Sequence, residues 1–372
     1  MANISDGFDD KYSYEVKPWK RIKSGFTHFR NGDIAVAKIS PCLENRKSFV
    51  ARGLPQEIGA GTTELFIFRS GQIIPEYGLL FFKSEFFISN CVGTFNGVVG
   101  QQRVARTIIE EMPFPIPPIA EQKRIIQSVN SIFNIISELE NNQSALKNSI
   151  EKSKALILDL AIHGKLVPQD SSDEPAIALL KRINPDFRPS HNLHYEGTLP
   201  QGWIVCTLGE ISNYGQCVSV SVDEIDETAW VLELEDIEKD TGRVLQRLTK
   251  KDRSISGIRH KFQRGQLLFS KLRTYLNKVL IAYEDGFCTT EIIPITPING
   301  IDSSYLNIVL RSPYFLNYTA RCGHGVKMPR LGTNDARKAV IPIPPIKEQH
   351  RIVQKTEGLF SELEFITTLN NI

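Results

Sequence analysis

PIPPIAEQKRIIQSVNSIFNIISELE, residues Pro115–Glu140, returns at Pro342 as PIPPIKEQHRIVQKTEGLFSELEFI, an offset of 227 residues. Pro117-Pro118, Glu121-Gln122, Arg124-Ile125 and Gln127 come back as Pro344-Pro345, Glu348-Gln349, Arg351-Ile352 and Gln354. A match of that density makes the chain two copies of one unit, and the fold has to be read accordingly. In each copy an apolar, strand-like run meets a proline pair. Proline has no N–H to give a strand or helix interior but is tolerated in a first helical turn, so each pair launches a helix. Glu121 and Glu348 then sit in the first turn, where the helix dipole favours a carboxylate.

Beyond that launch the apolar positions of the first copy are Ile125, Val129, Ile132, Ile136, Leu139, Leu146, Ile150, Ile157 and Leu160. Most steps are of three or four, a heptad seam that Gln143 and Ser153 interrupt and that Gly164 stops. The second copy continues with Ile352, Leu359, Leu363 and Ile366, weakened at Thr356 and Asn370. A helix over 119–162 would be roughly 65 Å long at 1.5 Å per residue, longer than a small domain is wide. Its stripe is covered either by its own globular domain or by the seam of the other copy. Two identically launched heptad helices favour a helical pair holding two domains apart.

Composition sets limits on everything else. The 372 residues, 41 % hydrophobic and 23 % charged, suffice for two or three domains with cores. MANISDGFDDKYSYEV lacks the basic and apolar regions of a signal peptide and no run of eighteen apolar residues occurs, so the expected location is the cytoplasm. Cys42, Cys91, Cys206, Cys217, Cys288 and Cys322 include no CxxC pair, which fits reduced thiols and gives no zinc site. His191 and His194 are close together without a third ligand, so no metal is expected.

The expected organisation is a first mixed α/β domain over 1–117, a spacer helix over 118–166, and a proline-rich linker with the short helix AIALLKRI over 167–196. A second mixed domain over 197–344 and a distal helix over 345–372 complete it. Elements of the two domains correspond: GQLLFSKL (Gly265–Leu272) with Gly32–Ile39, CTTEIIPI from Cys288 with TTELFIF from Thr62, and Tyr305–Tyr318 with the amphipathic stretch Tyr77–Ile88. The glycine-rich GHGVKMPRLG from Gly323 answers GVVGQQRVA from Gly97, placing Arg330 where Arg103 stands. LPQGW at Leu199 lies 72 residues before Lys271, whereas Lys38 is 37 residues from Met1, so the first domain is expected to be shortened on its N-terminal side and the distal helix to be cut short.

Charge is uneven although the net is only +2. Arg243–Lys278 holds eleven Lys or Arg against Asp252, just after nine carboxylates and one Lys in Asp223–Asp240; Lys17–Arg52 holds nine against Asp33 and Glu44. Basic blocks at corresponding places in a repeat, interleaved with His260, Phe262 and Tyr275, point to phosphate contacts; a solvated surface balanced by its acidic neighbour is the plainer alternative. No phosphate-binding GxxxxGK[ST] loop, FxGxG methyl-donor motif or HExxH occurs. Asn184-Pro185-Asp186-Phe187 approximates an amino-methyltransferase motif but follows a charged helix inside a linker, the wrong context for catalysis.

These residues resemble one family, the DNA-specificity subunits of type I restriction-modification systems. GFTHFRNGDIAVAKISPCLENRKS (Gly25–Ser48), GAGTTEL (Gly59–Leu65), GQQRV (Gly100–Val104), LPQGW (Leu199–Trp203) and FSKLRTYLNKV (Phe269–Val279) carry the resemblance, together with the doubled proline element. It implies an α+β protein in which two target-recognition domains each read half of a split DNA site. It also implies that the long helices pair as an antiparallel coiled coil, set the spacing, and dock two modification subunits near Glu121-Gln122 and Glu348-Gln349. Modification subunits would bring S-adenosylmethionine, and restriction subunits ATP and Mg, so this non-catalytic chain would bind no cofactor itself. Base reading needs Arg, Lys, Asn or Gln at base edges. The candidates are Lys38, Arg46, Lys47, Gln101, Gln102 and Arg103, then Lys271, Arg273, Tyr275, Asn277, Lys278, Lys327 and Arg330. A self-contained methyltransferase and a coiled-coil structural adaptor are the rival classes. The first would bind S-adenosylmethionine; the second would show no salt-dependent affinity for duplex DNA.

Overall fold

The computed structural model describes all residues except 96, 98–101, 189–194, 196–197, 326 and 371–372. It is an α+β chain dividing into two compact units, Met1–Asn141 and Asn142–Ile372, with the boundary inside the long helix. In the first unit the apolar run IAVA becomes the central strand Ile34–Ala37, buried along its whole length. Ser48–Val50 and Leu65–Phe68 flank it antiparallel, Ile34 facing Phe68 and Ala37 facing Leu65. A separate antiparallel pair joins Thr27–Arg30 to Ile58–Gly61. Leu79, Phe82, Phe87, Ile88 and Cys91 pack with Ile34, Val36, Leu43 and Val50 into its larger core.

The second unit repeats that frame. Leu267–Ser270 is its central strand, flanked antiparallel by Val279–Ile281 and Ile292–Ile295, with Leu267 facing Ile295 and Ser270 facing Ile292. The pairing between central and last strands therefore keeps its register across the duplication, although the loop between them differs in length. The pair Thr27–Arg30 with Ile58–Gly61 reappears as Ile258–Phe262 with Gly286–Thr289, here widened to four strands by Val218–Ser221 and Val231–Leu232. The acidic stretch 223–240 flanks the second of these added strands, Val231–Leu232.

The amphipathic stretch Tyr77–Ile88 is helical and divided between Pro75–Phe82 and Glu85–Val92, because Ser84 leaves the helix to cap the second by accepting from Phe87 N at 3.2 Å. Tyr305–Tyr318 divides the same way into Ser303–Arg311 and Pro313–Cys322, with Ser312 accepting from Phe315 N at 3.3 Å. One expectation needs correction: of the two strand-like runs before the proline pairs, Val340–Ile343 is a strand paired with Ile204–Thr207, but Phe114–Ile116 is not, there being no counterpart of Ile204–Thr207 among the described residues of the first unit.

The helices run as the periodicity predicts, Ile119–Ile162 and Ile346–Leu369, with AIALLKRI forming Ala176–Ile183. Gly164 ends the first at φ +65°, and Lys165 N bonds back to Leu160 O at 2.9 Å, the closing bond of a Schellman turn. Within the second unit the last turns of the long helix lie antiparallel to the distal helix. Lys154 pairs with Glu364 at 3.6 Å and stands over Phe360, while residues after the turn meet its start, Arg351 with Asp173 at 2.6 Å. Leu158, Ala161 and Ile162 join Ile352 in one core. The seam is only partly closed. Ile150 and Ile352 are buried, and Ile125, Val129, Leu146, Ile157, Leu160, Leu359 and Leu363 are half-buried. Ile132, Ile136, Leu139 and Ile366 are exposed, contrary to expectation.

Candidate nucleic-acid interface

The repeated glutamine locks each helix onto its own unit. Gln122 is wholly buried; its amide donates to Pro117 O at 2.9 Å and Gln72 O at 3.1 Å, and its carbonyl accepts from Ile74 N at 2.8 Å. Gln349 makes the same three bonds, to Pro344 O, Gly300 O and Asp302 N. Beside them Tyr77 donates to Pro115 O, and Tyr305 to Pro342 O. Glu348 is buried as well, receiving Trp203 Nε1 at 3.0 Å and Gln169 Nε2 at 2.6 Å. Burial raises its carboxyl pKa despite those two donors. Gln122, Glu348 and Gln349 are therefore turned into their own units and hold the helix starts in place. Glu121 alone of the four is exposed.

A second duplicated constellation lies where the central strand ends. Lys38 N bonds Glu64 O at 3.0 Å and Lys38 O accepts from Val104 N at 3.0 Å; Lys271 N bonds Glu291 O at 3.0 Å and Lys271 O accepts from Leu331 N at 2.9 Å. Bridges Ile39–Arg103 and Leu272–Arg330 follow. Each arginine returns to the glutamate on the far side of the lysine. Arg103 Nε and Nη2 reach the Glu64 oxygens at 2.8 and 2.9 Å, and Arg330 Nε lies 3.1 and 3.3 Å from those of Glu291. The hydrogen bond from Arg103 holds the Glu64 carboxyl below its ordinary pKa, with further help from the charges of Arg103 and Lys38. Glu64 and Glu291 are not among the sequence candidates; the recurrence of TTE at offset 227, with an arginine at the same offset, is the signal that could have found them.

Other candidates divide. Arg46 donates to Lys83 O and Glu85 and lies over Phe8, and Lys47 donates to Met1 O and Ile4 O, its side chain 14 % exposed. Asn277 is buried against Arg311 O, and Lys278 donates to Leu234 O at 2.6 Å. These four hold the fold and leave the candidate set. Gln101 lies outside the described residues, as do His191 and His194. Lys38, Gln102, Arg103, Lys271 and Arg273 are half-buried; Lys327 and Arg330 are exposed, and Tyr275 is 59 % exposed on a turn between Arg273 and Asn277, both at φ 50°.

Five of the eleven basic residues in the block of the second unit face carboxylates nearby. Arg253 pairs with the wholly buried Asp236 at 2.6 Å, Arg259 with Glu233 at 2.8 Å, Arg243 with Glu238, Arg247 with Glu284 and Lys250 with Glu227. Much of that block is thus the balanced surface given above as the plainer alternative. Among the described residues no cluster of three His, Cys, Asp or Glu could hold a metal, and no helix is long and apolar enough to cross a membrane.

The α/β frame is thus duplicated in the chain, and in each copy a lysine just past the central strand is met by a glutamate and an arginine. Residues 63–152 match the family described as the type I restriction modification DNA specificity domain. The chain is 29 % identical to the type I restriction enzyme EcoAI specificity subunit of Escherichia coli, over 96 % of this chain and 72 % of that protein. It is 26 % identical to the EcoEI specificity subunit of the same organism, over 97 % and 73 %. In fold it is similar to a chain in the solved type I R-M system (TM-score 0.67, 16 % identity, 100 % of this chain and 85 % of that one) and to the HsdS subunit from Thermoanaerobacter tengcongensis (0.58, 17 %, 99 % and 83 %). The matched domain and both relatives are those of type I restriction specificity subunits, and the chain is similar to them in sequence along nearly its whole length.

Proposed function

We propose that this chain is the DNA sequence-recognition subunit of a type I restriction-modification complex. Each unit reads one half of a bipartite site, and the long helix serves as the spacer. The supporting observation is that one frame occurs twice, in register, with a lysine, glutamate and arginine at the same place in each copy. A protein that reads two different half-sites needs such a frame twice, with different loops on it. Two modification subunits dock on exposed faces of the helices and bring S-adenosylmethionine; restriction subunits bring ATP and Mg. The test is to express the chain with its modification subunits and map methylated bases across the host genome. A two-part motif that vanishes when this chain is omitted is the expected result. Methylation independent of the chain, or tight binding of S-adenosylmethionine by the chain alone, would overturn it.

A further inference from the structure

We infer that Glu64 and Glu291 are positioning residues for base discrimination, each fixing the arginine at the root of its unit's glycine-rich loop. The inference rests on the recognition function proposed above. Thr62-Thr63-Glu64 and Thr289-Thr290-Glu291 are identical while the stretches before the arginines, GVVGQQ and GHGVKMP, have diverged. The backbone bonds around Lys38 and Lys271 are the same in both units, so glutamate and arginine meet across the end of the central strand on a rigid support. A carboxylate is the wrong charge for a surface that approaches phosphate, and a purely electrostatic footprint would have no use for it. It does have a use in holding a planar guanidinium in one orientation, which removes most of the ordering that a long side chain otherwise loses on binding. Both arginines stay open to a ligand while paired, with side-chain exposures of 43 % and 52 %. The lysine beside each pair keeps the local charge positive.

This predicts opposite changes in two quantities that a merely structural ion pair would not separate. In the full chain with its modification subunits, Glu64→Ala should relax the methylated motif in one half only, by about tenfold or more in preference for the affected base. Glu291→Ala should relax the other half. Binding of the full chain to random-sequence duplex should strengthen in both variants, because a negative charge has gone. Glu64→Gln and Glu291→Gln, which keep the shape and one acceptor oxygen, should show the same pattern to a lesser degree and guard against an alanine variant that does not fold. Folded variants with an unchanged motif, or with both halves relaxed together, would overturn the inference. A wild-type complex without any two-part motif would instead bring down the recognition function itself.

Discussion

At the scale of single residues, the amide of Gln349 carries a large share of the link between helix and domain. Its truncation leaves the buried Pro344 carbonyl unpaired, with the half-buried Gly300 carbonyl and Asp302 N–H, and a fully buried group of this kind costs about 1–3 kcal/mol of desolvation. Gln349→Ala should therefore lower unfolding free energy by at least about 2 kcal/mol in urea titration. Gln122→Ala should do the same to the first unit. The repeat made both glutamines visible, but their burial was not legible, since Glu-Gln after Pro-Pro also fits an exposed helix start. Asp33 supports a prediction in pH. Burial pushes its carboxyl up, but Arg69, at 2.5 and 2.6 Å, and the Arg30 N–H outweigh this, so its folded pKa is lowered. The stabilisation is complete above the unfolded value of about 3.9 and is lost as pH falls through the folded one. In denaturant titrations the gap between wild type and Asp33→Asn should narrow as pH drops from about 5 to about 3; a constant gap would contradict the pairing.

At the scale of elements, the long helix was legible to its last residue, because proline and glycine punctuate it and the apolar spacing is regular. What covers it was not. A heptad pattern states which side of a helix is apolar, and says nothing about how far a partner extends along it. The exposure of Ile136 and the burial of Ile352 make this measurable. Ile352→Ala should cost about 2–5 kcal/mol, while Ile136→Lys should change stability by no more than about 0.5 kcal/mol in the chain alone. Equal effects would mean that the seam is closed along its length. Gly164 is a third case: a Cβ there would lie 2.3 Å from Pro200 Cγ, and φ is +65°. Gly164→Ala should destabilise the second unit by about 1–3 kcal/mol, seen as a lower thermal midpoint. The strand expected at Phe114–Ile116 shows the complementary limit, since an apolar run becomes a strand only where a neighbouring edge accepts its hydrogen bonds.

At the scale of the whole molecule, salt dependence separates the basic residues that face DNA from those that hold the fold. Counting Lys and Arg in the sequence overstates the footprint, because Arg243, Arg247, Lys250, Arg253 and Arg259 face carboxylates and Arg46, Lys47 and Lys278 serve the fold. That distinction could not be made from the chain order, since an acidic stretch and the basic stretch after it neutralise each other only if folding brings them together. Of the candidate residues, Lys38, Lys271, Arg273 and Lys327 remain for phosphate, Arg103 and Arg330 being held by Glu64 and Glu291. If each of the four meets one phosphate, the logarithm of affinity for random duplex should fall with the logarithm of salt at a slope of about −4. Lys327→Ala should make that slope shallower by about one and weaken every sequence equally. A slope of about −10 would place the neutralised arginines on DNA after all, their carboxylates displaced. A slope near zero would leave the two units without a phosphate-binding face, and base discrimination would then have to come from contacts assembled only with the modification subunits.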